Sequence, residues 1–212
     1  MILSFVGEEN SGNQHLSLHI SKMLSNIGKK VLLLSSSKKP LNFFGIDKRL
    51  VSNRPLEIYG FDVLIGTIGE DEELLNDYDY VIVSTNSSSV AGKIFLVQNC
   101  FDIVSLTRNK ELIRDISGKV NLEDKNINVI YNNYIKTKAT LAFLDRELNV
   151  AGKKIKIPFD IKNLKEKINE EVDQKINLKR FSQEYLFALI DILMVADNEF
   201  KPSQKDFKKM IR

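Results

Sequence analysis

The sequence predicts a doubly wound α/β domain: a mostly parallel sheet with helices on both faces. Short apolar runs recur along the chain, they are continuous rather than alternating, and helical patterns lie between them. A continuous run fits a strand covered on both faces, which is the condition inside a parallel sheet. Strands that alternate with helices fit the doubly wound class.

The predicted strands are "ILSFV" (2–6), "KVLLL" (30–34), "FDVLI" (61–65), "YVIV" (80–83), "FDIVSL" (101–106), "INVIY" (127–131) and "KIKIP" (154–158). The first helix covers 13–27, where Leu16, Ile20, Met23, Leu24 and Ile27 form one apolar stripe and Gly28 supplies the stop. Further helices are predicted at 90–99, 109–117, 137–148, 162–172 and 181–197. The body therefore spans 1–198, and residues 199–212 form a C-terminal basic tail. Pro202 separates that tail from the preceding helix, and Ser203 with Asp206 has capping-box spacing.

A chain of 212 residues suits one well-buried domain. The net charge of +3 does not by itself imply a nucleic-acid partner. Its distribution is uneven, with 17 basic and 18 acidic residues in 1–152 but 14 basic and 10 acidic in 153–212. An electrostatic partner surface is therefore expected in the last third. One cysteine, Cys100, permits no internal disulfide and fits a reducing compartment. Its apolar context, "FLVQNCFDIV", reads as a buried structural thiol. No apolar run approaches the roughly 20 residues of a bilayer span, and the N-terminus lacks a basic signal-peptide n-region. A cytoplasmic protein is expected.

Residues 7–15, "GEENSGNQH", join the first strand to the first helix. In nucleotide-binding α/β proteins this place usually holds a phosphate on glycines and a lysine. Here there are two glycines, two glutamates and no lysine.

The order of segments resembles the ParA/MinD family of deviant-Walker P-loop ATPases. "ILSFVGEENSGNQHLSLHISKMLSNIGKKVLLLSSS" is similar to that family's opening strand, phosphate loop, helix and second strand. "LLNDYDYVIVSTNSS", "NVIYNNY" and "VAGKKIKIPFDIKNLKEKINEEV" resemble later family segments, so the likeness runs in order through about residue 198. It implies a P-loop NTPase-like fold. Carried over by position, the signature lysine falls on Glu8, two glycines on Glu9 and Asn10, and the third glycine on Gly12. The phosphate lysine falls on Asn13, two threonines on Gln14 and His15, and three aspartates on Ser35, Ser37 and Ser84. Asn132 matches an asparagine used around the base.

Phosphoryl transfer needs positive charge at the β/γ-phosphates and a magnesium ion held by a hydroxyl and a carboxylate. Both cationic positions are gone and the carboxylate positions are serines, which have no partner to make them bases. Glu8 and Glu9 repel a triphosphate by on the order of several kcal/mol in a partly desolvated loop. The expectation is a pseudo-ATPase with no ATP or magnesium cofactor. Any residual nucleotide site would use Gly12, Asn13, Gln14 and Asn132.

His15 and His19 have the four-residue spacing of a metal pair, but no third ligand follows. We read His15 as a solvated helix start and His19 as a half-buried contact, with no metal. Ser84, Thr85 and Ser87 to Ser89 lack a nucleophile elbow and read as loop and cap residues. Asn132 reads more simply as a strand-end asparagine capping the turn before Thr137. The lysines of 153–180 are interleaved with five acids, which favours a solvated helix face over non-specific DNA binding. In the tail, Phe207, Met210 and Ile211 fall at helical spacing beside Lys208, Lys209 and Arg212. That is a small basic amphipathic helix; packing on the body is the simpler reading of it, and the resemblance implies a membrane-targeting tail as another use.

The reading preferred from these residues is a catalytically inactive ParA/MinD-like scaffold or positioning protein, TadZ-like in having lost its catalytic residues. It would bind protein partners of pilus, conjugation, plasmid or division machinery, most simply as a homodimer, with peripheral membrane contact through the tail. The rim at 8–15, 35–40 and 84–90 is the expected partner surface. The alternatives are a nucleotide-binding switch with unorthodox ligands and a DNA-binding partition accessory.

Overall fold

Leu3, Phe5 and Val6 in the first strand, and Leu32 and Leu33 in the second, have no exposed surface, so both faces of these strands are covered. A computed structural model describes residues 1–8, 11–37, 43–46, 54–66, 72–102, 104–119 and 127–212. The strands are β1 (Ile2–Val6), β2 (Val31–Ser35), β3 (Leu56–Ile58), β4 (Phe61–Ile65), β5 (Tyr80–Thr85), β6 (Lys93–Asn99), β7 (Asn128–Tyr134) and β8 (Lys154–Pro158). They form one eight-stranded sheet in the order β3-β4-β2-β5-β1-β6-β7-β8. All pairings are parallel except β3 with β4. The predicted α/β class, with a mostly parallel sheet and helices on both faces, is the observed one.

The described helices are α1 (Asn13–Asn26), α2 (Glu72–Leu75), α3 (Val104–Lys119), α4 (Leu141–Leu148), α5 (Ile161–Asp173), α6 (Gln183–Ala196) and α7 (Gln204–Met210). Leu16, Ile20, Met23 and Leu24 of α1 join Leu189 and Leu193 of α6 and Met210 of α7 in the core on one face of the sheet. Leu106 and Ile116 of α3 and Leu144 and Leu148 of α4 build the opposite core against β6 and β7. α1 ends as expected: Gly28 has φ +84°, and the Gly28 and Lys29 amides donate to the carbonyls of Ser25 and Leu24.

Two neighbouring expectations exchange type. The stretch 90–99, expected as helix, contains β6, and 101–106, expected as strand, leads into α3. β6 lies between β1 and β7 with Ile94 to Val97 essentially without exposed surface, and Phe95 stacks on Phe5 with ring centroids 5.4 Å apart. Burial on both faces decides a short apolar run that periodicity leaves ambiguous. Asp102 starts α3 by accepting the amides of Val104 (3.0 Å) and Ser105 (3.3 Å) through Oδ1, an N-cap within the presumed strand. β3, an antiparallel edge strand, was not expected.

Among the described residues no helix is long and apolar enough to cross a membrane.

Candidate functional site

The loop from Gly7 to Gly12 leaves the C-terminal end of β1 between its neighbours β5 and β6, at the carboxyl edge where open α/β sheets bind ligands. It closes on itself: the Gly7 amide donates to Thr85 O (3.1 Å) and the Ser11 amide to Glu8 O (2.9 Å). Gly12 caps α1 with φ +90°, and a Cβ there would lie 2.2 Å from Asn132 Nδ2. Only glycine combines that conformation with so near a neighbour. The chain folds here because two asparagines hold it. Asn13, buried in the first turn of α1, donates Nδ2 to Thr85 O (3.1 Å) and Gly7 O (3.4 Å). Asn132, buried near the end of β7, donates Nδ2 to Ser11 O at 2.7 Å.

Gly12, Asn13, Gln14 and Asn132, expected together from the sequence, do meet at this place. Their roles differ. Asn13 and Gln14 line a cleft of about 30 Å³ with Ser36, Ser37, Ser84, Thr85 and Asn86. That is space for about a water molecule or two, and the described residues lining it are uncharged. Asn132 lies behind the loop and pins it; it does not cap the turn before Thr137, because its amide reaches across to Ser11. Among the described residues its buried Oδ1 has no hydrogen-bond partner. Ser35 and Ser84, at the ends of β2 and β5, are buried, and Ser35 Oγ accepts the Ser37 amide at 3.3 Å. Glu9 and Asn10, and 38–40 of the expected rim, lie outside the described residues.

Glu8 faces a cation from its own chain. Its Oε2 accepts from Arg108 Nη1 of α3 at 2.6 Å, and that hydrogen bond raises the Arg108 pKa. The sequence carried no signal for this pair, since 100 residues separate its members. Ser87 and Thr85 serve the loop as expected: the Ser87 amide donates to Thr85 Oγ1 (3.1 Å) and the Ser89 amide to Ser87 Oγ (3.0 Å).

The two histidines differ from the expectation. His19 is fully buried and not a half-buried contact, because α5 and α6 cover it. Its Nδ1 lies 2.7 Å from Tyr185 OH and its Nε2 2.8 Å from Glu170 Oε2. With both ring nitrogens engaged, His19 is a satisfied core histidine. Burial alone would raise the Glu170 carboxyl, but His19 and the Asn177 amide outweigh it and hold it below its ordinary value. His15 is not a solvated helix start. Its side chain is 22% exposed, its ring meets Phe43 edge-on, and its Nε2 lies 3.3 Å from Glu171 Oε1, within ion-pair reach when the ring is protonated. Among the described residues no group of three or more potential ligands could hold a metal ion.

Cys100 is half-buried, and burial pushes its thiol up to about 12. The tail residues Phe207, Lys208, Lys209, Met210 and Ile211 lie in or just after α7, where Ser203 and Asp206 form the expected capping box. Met210 has no exposed surface, its carbonyl accepts from Asn26 Nδ2 (2.9 Å), and Phe207 stacks on Phe187. The tail thus packs on the body with part of its apolar face already covered. In the 153–180 stretch, Lys156 lies over Tyr134 and Lys167 over Tyr185, and burial lowers the Lys167 pKa to about 8.

No family model matches the chain, and no curated protein matches it. Solved structures do. The MinC:MinD cell division complex of Aquifex aeolicus aligns with TM-score 0.69 and 16% identity over 96% of this chain and 98% of that one. MinD from Pyrococcus horikoshii, complexed with Mg-ADP, aligns with TM-score 0.66 and 16% identity over 95% and 99%. A Borrelia burgdorferi protein described as a plasmid partition protein, bound to AMPPNP, aligns with TM-score 0.64 and 15% identity over 94% and 99%. At these identities the likeness speaks for architecture, and the chain has the fold of MinD and ParA-type P-loop ATPases.

Proposed function

We propose that this protein is a MinD/ParA-fold scaffold that has lost phosphoryl-transfer chemistry and acts by binding other proteins. The observation that carries the reading is the Asn13 side chain. At the position where the resemblance sets a phosphate lysine, an uncharged amide is tied to the Thr85 and Gly7 carbonyls. The surroundings agree. Ser35 and Ser84 stand where carboxylates would hold magnesium or orient water, the Glu8 carboxylate is engaged by Arg108, and the cleft is small and uncharged among its described lining residues. The residues present do not fit a magnesium nucleotide, so no catalytic step is assigned to them. A partner-binding role draws on the Aquifex structure, in which MinD is in complex with MinC. By analogy the partner here belongs to a positioning, partition or division assembly.

Calorimetric titration of ATP and ADP with magnesium, followed by a hydrolysis assay on the same sample, tests the reading. The expected result is neither binding nor turnover up to millimolar nucleotide. Micromolar binding would overturn it in favour of a nucleotide-dependent switch, with Gly12, Asn13 and Asn132 as the first residues to change.

A further inference from the structure

Helix α5 turns its polar side inward. A helix packed on a sheet ordinarily buries an apolar stripe and shows its polar face to water. In α5 the buried residues are Asn163 and Glu170, seven residues apart and so on one face. Ile161, Leu164, Ile168 and Val172 form a stripe on the opposite face, each between 44% and 77% exposed. No apolar side chain of α5 belongs to a core cluster of the described residues or packs against one. The neighbouring helices differ. Leu16, Ile20, Met23 and Leu24 anchor α1, and Leu189, Ile192 and Leu193 anchor α6, all without appreciable exposed surface.

Polar contacts hold α5 in place. Toward its start, Asn163 exchanges two hydrogen bonds with Ser182: Nδ2 donates to Oγ (2.9 Å), and the Ser182 amide donates to Oδ1 (2.8 Å). Toward its end, Glu170 Oε1 accepts the Asn177 amide (2.7 Å), and Oε2 lies 2.8 Å from Nε2 of the buried His19. Looser contacts lie around these. Arg180 Nη1 is 3.8 Å from Glu166 Oε2, His15 Nε2 is 3.3 Å from Glu171 Oε1, and Lys167 Nζ is 5.2 Å from the Tyr185 ring centroid.

Anchoring of the two kinds differs when water enters. A buried apolar side chain loses its stabilisation outright. A hydrogen bond or ion pair exchanges its protein partner for water, so its net contribution is small. An element with few buried apolar contacts lies at the low-stability end of a fold. The flanking chain confines the event, because Ile157 of β8 on one side and Leu178 on the other are buried in the core. Between them the chain has two natural turning points. Asp160 is the N-cap of α5, and Gln174, with φ +55°, ends it.

We propose that α5 is a polar-latched flap, which opens as a unit between Asp160 and Gln174 while the sheet and the other helices stay folded. Its opening uncovers His19 and Tyr185, both fully buried when it is closed. The latch reaches the candidate cleft through α1, since Gln14 lines the cleft and the next residue, His15, faces Glu171. Whether that cleft takes a nucleotide has no bearing on the flap.

Native-state hydrogen exchange of the full chain, read by NMR over a range of low urea concentrations, tests it. The amides of Leu164 to Asp173 should show protection at least about tenfold below that of α6 and β1. Their protection should also be nearly independent of urea, because opening one helix exposes little surface, while that of α6 and β1 falls as urea rises. Glu170→Gln and Asn163→Ala each weaken the closed state and should lower α5 protection roughly tenfold. Ile94→Val, in the core on the opposite face of the sheet, weakens closed and open forms alike. It should lower the protection of α6 and β1 severalfold and leave that of α5 unchanged. Amides of α5 that share the protection and urea dependence of α6 and β1 overturn the proposal, as does a loss of α5 protection in Ile94→Val. Unchanged α5 protection in both Glu170→Gln and Asn163→Ala overturns the latch.

Discussion

The Asn13 side-chain amide donates to Thr85 O at 3.1 Å, joining the first turn of α1 to the end of β5 across 72 residues. A lysine there would carry its charge toward a phosphate. The asparagine instead holds together the two elements between which a phosphate would sit.

Asn13→Ala removes this buried tie and the longer one to Gly7. We expect a loss of about 1–3 kcal/mol in unfolding free energy, read from urea denaturation at unchanged m-value. Asn13→Lys restores the lysine but not the carboxylates absent at Ser35 and Ser84. It should show no ATP hydrolysis above background, and measurable turnover would count against the proposed function.

Gly12→Ala meets two obstacles, the positive φ and the Asn132 amide 2.2 Å from the new Cβ. The expected cost is about 1–3 kcal/mol. Adding Asn132→Ala removes the clash but not the backbone strain, and it also removes the bond to Ser11. The double variant should therefore be more stable than the sum of the two single losses predicts, by thermal or urea unfolding.

Burial holds the His15 imidazole below its ordinary value of 6.5, with the nearby His19 and Lys167 charges adding and Glu171 opposing. The unfolded chain therefore takes up this proton first as pH falls. The contribution of His15 to stability is complete above 6.5 and is lost as pH drops from there through the lowered native value. Glu170, also held below its ordinary value of 4.5, contributes its loss only below that pH. Denaturation midpoints of wild type should decline between these two values, and His15→Asn should flatten the decline. An equal slope in both proteins would rule out His15 as its source.

Cys100 has a thiol raised to about 12 by burial, so little thiolate forms near neutral pH. An aromatic disulfide reagent should modify the native protein at least roughly tenfold more slowly than the urea-unfolded chain. Equal rates would place the thiol in solvent.

Legibility in the sequence followed how local the physics was. Leu16, Ile20, Met23 and Leu24 repeat at helical spacing with Gly28 behind them, so α1 was readable from neighbours alone. Ser203 and Asp206 reach each other within one turn, so their capping box was too. "KIFLVQN" and "FDIVSL" carry apolar runs of similar length, and their types were exchanged because the difference lies in what covers them. The Asp102 N-cap was a local signal that would have corrected the second.

The site followed the same division. Gly12, Asn13, Gln14 and Asn132 could be grouped by the order of segments, but not given their work. Asn132 bonds to Ser11 across 121 residues and Glu8 to Arg108 across 100. Such contacts leave no periodicity in the chain. The inversion of α5 was hidden for a related reason. A helical pattern shows that a helix has two faces, while only the partners of Asn163 and Glu170 decide which one turns inward.

By itself the sequence determined the α/β class, most of the parallel strands, the end of α1, the cap of α7 and the absence of lysine from the loop between β1 and α1. These depend on residue type and spacing within a few turns of chain. The tertiary structure alone decided that Asn13 closes that loop, that His19 is spent in the core, and that the apolar stripe of α5 meets solvent. Each depends on contacts between segments far apart in sequence, whose free energy is set by packing and burial rather than by any neighbour along the chain.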